Sequence, residues 1–280
     1  MQWRKILRPF VPPLLWQAGR LLMGEQDSLR FYGPVASWED ALGRCAGYGS
    51  PLILEAAKQA RLKVERGEAA WERDGVAFSS GNPPFPLLCA ILVASLNIKH
   101  RLVVLDYGGA LGSSYTQCRH FLKNLPEILW LVVEQPHIAQ CGRELFESSS
   151  LRFFDSIEDA SRAATPDIVV LSGVLQYLSR PYEVLATLVK LRASVLFIDR
   201  TSFSTSADLL TVQLVPSVHS AISYPCWFLD QGAVLSMVAE QYLALTTFDC
   251  PEGFYSRARL CAHFRGILFS LKNYSPSEKA

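Results

Sequence analysis

The 280-residue sequence is poor in the residue clusters that characterise metal-binding, disulfide-bonded and nucleic-acid-binding proteins. Its seven cysteines form no CxxC pair, and their odd number leaves one thiol unpaired in any disulfide scheme. We therefore expect reduced, mostly buried thiols and a cytoplasmic location. No group of cysteines and histidines predicts a metal site. Lysine and arginine form no conspicuous run and the formal net charge is +1, which argues against a nucleic acid partner.

Long apolar runs, internal repeats and low-complexity segments are also missing from the sequence. No segment reaches the roughly 20 apolar residues that a membrane-crossing helix needs. Residues 1–23 contain a basic group followed by an apolar stretch, but two prolines break that stretch and no cleavage site follows it, so we do not expect a signal peptide. Two interpretations of this segment stay open. It either lies on the inner face of a membrane as a basic amphipathic segment or packs on the protein's own core.

Half of the residues are apolar, so a chain of this length can bury one large core and an accessory segment. Capping and proline signals predict helices at residues 37–47, 51–67 and 86–96. We therefore expect a helical N-terminal cap at residues 1–98 and an α/β core at residues 99–280. The cap either covers an edge of the sheet or closes a pocket and shapes an acceptor site.

The most informative segment of the core is a buried strand that runs into a glycine-rich turn. Val103 to Tyr107 is apolar apart from Asp106, and the turn that follows contains Gly108, Gly109 and Gly112. Glycine lets backbone N–H groups approach a ligand, and the dipole of the following helix favours a carboxylate or phosphate. The segment therefore predicts a ligand site, with Asp106 suited to positive charge.

Four further strands follow at regular spacing. They are 129–134, ending in Glu134, then 151–155, 167–171 and 195–198. Helical segments lie between them at 113–124, 137–147, 156–163 and 181–192. Alternation of this kind predicts a parallel sheet with helices on both faces, and ligands in such sheets bind beyond the carboxyl ends of the strands.

The series Leu105–Gly109, Glu134 and Val174–Leu178 resembles the motif series of class I S-adenosylmethionine-dependent methyltransferases. The tail agrees with it: a helix at 230–241 is followed by strands at 242–248 and 264–271. More narrowly, the chain is similar over residues 31–271 to an uncharacterised family of methyltransferases associated with bacterial surface-polysaccharide loci. The stretches that carry this likeness are Glu72–Phe78, Gly108–Tyr115, Val133–Gln135, Ser172–Leu178, Ile198–Phe203 and Ser223–Pro225.

The resemblance implies an α/β fold, with a Rossmann-like seven-stranded methyltransferase sheet whose last strand is antiparallel, and S-adenosylmethionine as the cofactor. The residues implied to bind it are Asp106, Tyr107, Gly108, Gly109, Gly112, Glu134, Gln135, Asp155, Ser172 and Gly173. Glu134 follows Gly112 at about the spacing of a ribose-binding acid. Asp155 has an alternative role in capping the helix that begins at Ser156. Alanine at position 110 departs from the usual glycine pattern, which is tolerable if its φ is negative.

The expected reaction is O-methylation of a carbohydrate or another small polar acceptor. The catalytic candidates are Asp199, Tyr177 and His219, with Asp199 preferred as the base because it ends a strand; the acceptor-binding candidates are Gln176, Arg200, Tyr224 and Trp227. The aromatic segment 202–228 is expected to form the acceptor wall together with the cap.

Two other functions stay open at this stage, as does the oligomeric state. A non-catalytic methyltransferase-like binding protein would share every motif. A nicotinamide-dependent sugar enzyme would use the same sheet, but Ser114–Tyr115 occupies the place of its last fingerprint glycine.

Overall fold

The computed structural model describes residues 30–45, 51–96, 98, 100–123, 127–215, 222–257 and 260–272. The helices of this part are α1 (Trp38–Gly43), α2 (Pro51–Glu65), α3 (Phe85–Ser95), α4 (Ser113–Cys118), α5 (Pro136–Leu145), α6 (Ile157–Ala163), α7 (Pro181–Val189) and α8 (Gln231–Val238). Its strands are β1 (Arg30–Tyr32), β2 (Trp71–Arg73), β3 (Val76–Phe78), β4 (Arg101–Tyr107), β5 (Glu127–Val133), β6 (Leu151–Phe154), β7 (Ile168–Ser172), β8 (Val195–Ser204), β9 (Leu209–Val215), β10 (Ile222–Asp230), β11 (Tyr242–Arg257) and β12 (Leu260–Leu271).

Seven strands form the centre of the large sheet, in the order β6-β5-β4-β7-β8-β12-β11. The first five strands in this order are parallel. β12 is antiparallel to β8, and β11 is antiparallel to β12. The direction of winding reverses at β4, which lies between β5 and β7, and such a reversal leaves a crevice beyond the carboxyl ends of the strands. This is the Rossmann-like α/β sheet with an antiparallel last strand that the sequence predicts.

Helices cover both faces of this sheet, because side chains alternate between the two faces along each strand. On one face, Leu105 and Leu131 pack with apolar residues of α6, α7 and α8. On the other face, Val104 and Trp130 pack with residues of α3, α4 and α5. The parallel strands are apolar on both sides, which explains why they appear in the sequence as continuous apolar runs.

Three more strands extend the sheet, and two of them, β9 and β10, lie mostly in the segment 202–228 that was expected to form the acceptor wall. β10 pairs in parallel with the end of β8, β9 pairs with β10, and β1 pairs with β9, the last two antiparallel. β12 follows one edge of β8 over residues 195–203, so β10 uses the other edge, beyond the point where the shorter β7 ends. The aromatic and apolar residues of this segment thus form two paired strands.

Some element boundaries also differ from the sequence prediction. Ser37 caps α1 as expected, with its Oγ accepting a hydrogen bond from the backbone N–H of Asp40 at 3.1 Å, but α1 ends at Gly43 rather than at residue 47. The helix predicted at 113–124 ends at Cys118. β11 is longer than the strand predicted at 242–248, because an irregularity between Asp249 and Phe254 interrupts its pattern without ending its pairing with β12.

The N-terminal region contains a hairpin, β2–β3, in addition to helices. Trp71 and Phe78 stack across this hairpin at a centroid distance of 4.3 Å. β1, from the same region, belongs to the large sheet. The division of the chain at residues 98 and 99 stays a prediction. Among the helices that the structure describes, none combines the length and the apolar character needed to cross a bilayer.

Candidate functional site

Two adjacent depressions lie at the carboxyl ends of the parallel strands. The first, of about 320 Å³, is also lined by α2 and the β2–β3 hairpin, and we call it the cap cavity. The second, of about 480 Å³, is also lined by α1 and the start of α6, and we call it the β6 cleft. Both are lined by Gly108, Glu134, Gly173, Tyr177 and Tyr224. The structure thus brings the ends of β4, β5, β7 and β10 together around one site.

The turn after β4 has no room for side chains at two of its glycines. Gly108 has φ of 76°, and a Cβ there would lie 2.5 Å from Cγ2 of Val174. A Cβ on Gly109 would lie 2.6 Å from Oδ2 of Asp106. The backbone of this turn therefore forms a wall of the cap cavity directly. Gly112 is buried at the N-cap of α4, where it lines neither the cavity nor the cleft.

Ala110 departs from the sequence expectation in its backbone conformation. The condition of a negative φ is not met, because Ala110 has φ of 50°, in the left-handed region. A residue with a Cβ is held there at a cost of about 1–3 kcal/mol, and such strain concentrates at ligand sites. The N–H of Ala110 donates to Oε1 of Glu134 at 3.2 Å, which ties the strained turn to the end of β5.

Glu134 presents a carboxylate that is fixed at both oxygens. Oε1 accepts from Ala110, and Oε2 accepts from the backbone N–H of Gln135 at 2.8 Å. Burial raises the pKa of Glu134, and the two backbone N–H groups oppose that rise. These two hydrogen bonds set the position of the Glu134 carboxylate, which lines both the cavity and the cleft.

The remaining cofactor candidates at this end line the β6 cleft. Tyr107, Gln135 and Asp155 all contribute to its walls. Asp155 does not cap α6, which was its alternative role. Ser156 caps this helix, and its Oγ accepts a hydrogen bond from the N–H of Asp159 at 3.1 Å. Asp155 is exposed and faces the cleft.

Asp106 lies underneath the glycine turn and is 1% exposed. Its Oδ2 accepts a hydrogen bond from Nε1 of the buried Trp130 at 3.0 Å. Burial raises the pKa of Asp106 to about 7, although hydrogen bonds from Trp130 and Ser114 oppose the shift. The carboxyl group contributes to the lining of the cap cavity and supports the turn from below.

This burial predicts a pH-dependent stability. Between the unfolded value of 3.8 and the folded value of about 7, the folded protein keeps a proton on Asp106 that the unfolded chain has lost. The free energy of unfolding therefore decreases as pH rises through this window, by up to about 4 kcal/mol from this group. We expect Asp106→Asn to remove that decrease in denaturant unfolding measured from pH 4.5 to 8. Parallel curves for the variant and the wild type would contradict the assignment.

At the end of β7, the backbone of Ser172 and Gly173 borders the cap cavity. A 3-10 turn, Leu175–Tyr177, follows. Gln176 is 1% exposed, and its Nε2 donates to the backbone carbonyl of Arg200 at 2.9 Å. The hydroxyl of Tyr177 donates to Oε1 of Gln213 at 2.9 Å, so this catalytic candidate is anchored to β9 while its ring lines the site.

Asp199 lies at the level where β7 ends and is held by three neighbours. Oδ1 accepts from the N–H of Arg200 at 2.9 Å and from Sγ of Cys250 at 3.3 Å, and Oδ2 accepts from Oγ of Ser172 at 3.4 Å. Burial raises the pKa of Asp199, while the bond from Cys250 and the charge of Arg200 oppose the rise. Asp199 lines neither the cavity nor the cleft. Its role as the base stays a prediction.

Arg200 is the centre of a second polar group in the cap cavity. It has φ of 50°, a strained value for a residue with a side chain. Its Nε donates to Oε1 of Glu252 at 2.6 Å, and its Nη2 lies 3.8 Å from Oδ2 of Asp74 at the hairpin tip. Two buried oxygens beside it, Oε2 of Glu252 and Oε1 of Gln176, have no hydrogen-bond partner in the described part of the chain.

Sequence reasoning missed Glu252 and Arg73, which both line the cap cavity. Glu252 lies in the irregular part of β11, where residues 250–253 face one residue of β12. The Pro251–Glu252–Gly253 sequence inside a strand-like pattern was an available signal for such a bulge, and bulges commonly re-aim a side chain near active sites. For Arg73 the only signal was its place in the Glu72–Phe78 stretch.

The aromatic residues expected to form the acceptor wall are divided between two places. Tyr224 and Pro225 line the β6 cleft, and Tyr224 also meets the ring of Tyr177 edge-on at 5.0 Å. Trp227 stacks on Trp38 at 6.2 Å, donates Nε1 to the carbonyl of Leu178 at 3.0 Å and lines neither the cavity nor the cleft. Trp227 thus packs against Trp38, and its role in binding the acceptor stays a prediction.

Two of the sequence-based expectations concern residues outside the described part of the chain. They are the catalytic candidate His219 and the membrane-surface segment 1–23. Within the described part, no group of three or more His, Cys, Asp or Glu residues is arranged to hold a metal ion.

No family model and no curated protein matches the chain. Among solved structures, the N-terminal domain of EvdMO1 with SAH and D-fucose is 14% identical, with 80% of this chain and 100% of that chain covered and a TM-score of 0.44. LepI in complex with SAM is 12% identical (78% and 64% covered, TM-score 0.41), and PH0226 from Pyrococcus horikoshii OT3 is 11% identical (80% and 97% covered, TM-score 0.42). Because these identities and TM-scores are low, the class of the fold rests on the strand order of this chain.

Proposed function

We propose that the protein binds S-adenosylmethionine at the reversal point of the sheet. The observation that best supports this proposal is the position of Glu134, whose carboxylate is held at the end of β5 by backbone N–H groups of Ala110 in the glycine turn and of Gln135. This is the position at which doubly wound folds bind both ribose hydroxyls of a nucleoside. Because Gly108 and Gly109 have no side chains, the backbone of their turn can contact the methionine end of the cofactor closely. We place the adenine of the cofactor in the β6 cleft beside Asp155. The residues present thus fit this cofactor.

We further infer that the protein is a methyltransferase acting on oxygen, with a carbohydrate or another small polar acceptor. The cofactor, when bound, supplies an electrophilic methyl group. The support for a hydroxylated acceptor is the pair of buried oxygens on Gln176 and Glu252 that lack a donor within the described residues. Leaving such groups unsatisfied costs roughly 1–3 kcal/mol each, so a ligand that presents several hydroxyl donors suits this place. Tyr224 provides an aromatic surface beside it.

The chain's own residues have three tasks in this reaction: to hold the acceptor, to exclude water and to take up the hydroxyl proton. Glu252 is the better-placed base, because Arg200 holds one of its oxygens and the other has no partner in the described chain. Asp199 accepts three hydrogen bonds that fix its carboxylate, and it lines neither the cavity nor the cleft. Asp199 then acts by supporting the backbone of Arg200.

Calorimetry with S-adenosylhomocysteine and with NAD separates this function from a nicotinamide-dependent one. Binding of S-adenosylhomocysteine alone is the expected result, and binding of NAD alone would overturn the proposal. Release of S-adenosylhomocysteine is then measured with a panel of neutral hexosides, 6-deoxyhexosides and uronic acids. Turnover with a member of the panel is expected. Binding without turnover on any member favours the non-catalytic alternative over the proposed carbohydrate methyltransferase.

A further inference from the structure

Arg73 ends β2 and is held over the start of α4 by the hairpin. Its Nη2 donates to Oε1 of Gln117 on α4 at 3.2 Å, and its guanidinium carbon lies 5.2 Å from the centre of the Trp71 ring. Beside it, Glu72 accepts a hydrogen bond from Oγ of Ser113, the first residue of α4. These contacts fix the guanidinium near the helix that follows the glycine turn, in the wall of the cap cavity.

Of the two arginines that line the cap cavity, Arg73 is the one without a close ion pair in the described part of the chain. The carboxylates that line the cavity belong to Glu72, Asp74, Asp106, Glu134 and Glu252. Arg200 forms ion pairs with Glu252 and Asp74, whereas Arg73 has no carboxylate oxygen within 4.0 Å in the described part of the chain. Burial, and after it the charge of Arg200, lower the pKa of Arg73, while the more distant charges of Asp74, Asp199 and Glu252 oppose this shift. Burying part of a cation costs free energy unless an anion pairs with it.

We propose that Arg73 binds the carboxylate at the methionine end of S-adenosylmethionine. This inference rests on the proposed cofactor. A ligand carboxylate cannot lie beside the cavity's own carboxylates unless a cation offsets their repulsion. Among the described residues, Arg73 is the arginine of the cavity that forms no close ion pair, and it lies next to the helix that begins after the glycine turn. One guanidinium nitrogen is engaged by Gln117, and the planar group keeps further donors for a carboxylate.

The test compares two cofactors that differ only in this carboxylate, S-adenosylmethionine and decarboxylated S-adenosylmethionine. Wild-type protein is expected to bind the first more tightly by about 10–100-fold, the range for a hydrogen bond between charged groups. Arg73→Met is expected to lose this preference, to within about threefold, while its affinity for the decarboxylated compound stays close to that of the wild type. Arg73→Lys keeps the charge without the planar fork and is expected to lie between them.

Arg119→Met is the matched control, because Arg119 is also on the α4 side, pairs with Glu65 and does not line the cavity. It is expected to keep the full preference. Thermal unfolding shows whether Arg73→Met folds. If it folds and still prefers S-adenosylmethionine as strongly as the wild type does, the role of Arg73 is overturned but the proposed function is not. If Arg73→Met does not fold, Arg73→Gln, which also removes the charge, is measured in its place, and the full wild-type preference in that variant overturns the same role. Wild-type protein that binds neither compound would instead overturn the proposed function.

Discussion

Replacing Glu134 with alanine is expected to weaken the binding of S-adenosylhomocysteine by roughly 10–150-fold, or about 1.5–3 kcal/mol. Two effects combine in this loss. The variant lacks the charged acceptor for the ribose hydroxyls, and the N–H of Ala110 loses its hydrogen bond to Glu134 in a strained turn. Titration calorimetry at pH 7.5 measures the change, and Glu134→Gln, which keeps one acceptor oxygen, is expected to lose less.

Glu127→Ala provides the control for this comparison. Glu127 is exposed at the opposite end of the same strand, so removing its charge leaves the ligand site intact. We expect its affinity for S-adenosylhomocysteine to match that of the wild type. If Glu134→Ala also binds with wild-type affinity while its fold is intact, the cofactor does not use the end of β5.

Glu252→Gln is expected to lower the rate of methyl transfer by about 10²–10⁴-fold, the usual contribution of a positioned general base. The test uses the acceptor that the panel identifies, with single-turnover measurement of S-adenosylhomocysteine formation. The amide keeps the size of the side chain and its acceptor oxygen for Arg200, but it cannot accept the proton. The affinity for S-adenosylhomocysteine is expected to stay within about threefold of the wild-type value, because Glu252 acts on the acceptor.

Asp199→Asn is the matched comparison, since the two carboxylates flank the same arginine. We expect a smaller loss of rate in this variant, together with a wild-type dependence of the rate on pH. A larger loss in Asp199→Asn than in Glu252→Gln would return the base to Asp199. Wild-type rates in both variants would indicate catalysis by positioning alone.

The sequence determined the central sheet, the glycine turn and Glu134 because their signals are local. An apolar run of five to seven residues that ends in an acid and glycines specifies a buried parallel strand and its ligand-facing end. The alternation of such runs with helices then limits the fold to a doubly wound sheet, since connections of this type are right-handed. Gly108, Gly109 and Glu134 could be named as site residues without knowing what packs beside them.

The tertiary structure alone decided which polar residues meet in the cap cavity. Arg73, Arg200 and Glu252 lie more than 50 residues apart from one another, and they converge because a hairpin, the middle of β8 and a bulge meet at the same side of the site. The sequence also does not predict that β10, from the β9–β10 hairpin, pairs with β8. This pairing begins beyond the end of β7, so it depends on the relative lengths of β7 and β8. The positive φ of Ala110 likewise depends on the hydrogen bond to Glu134, which no local pattern encodes.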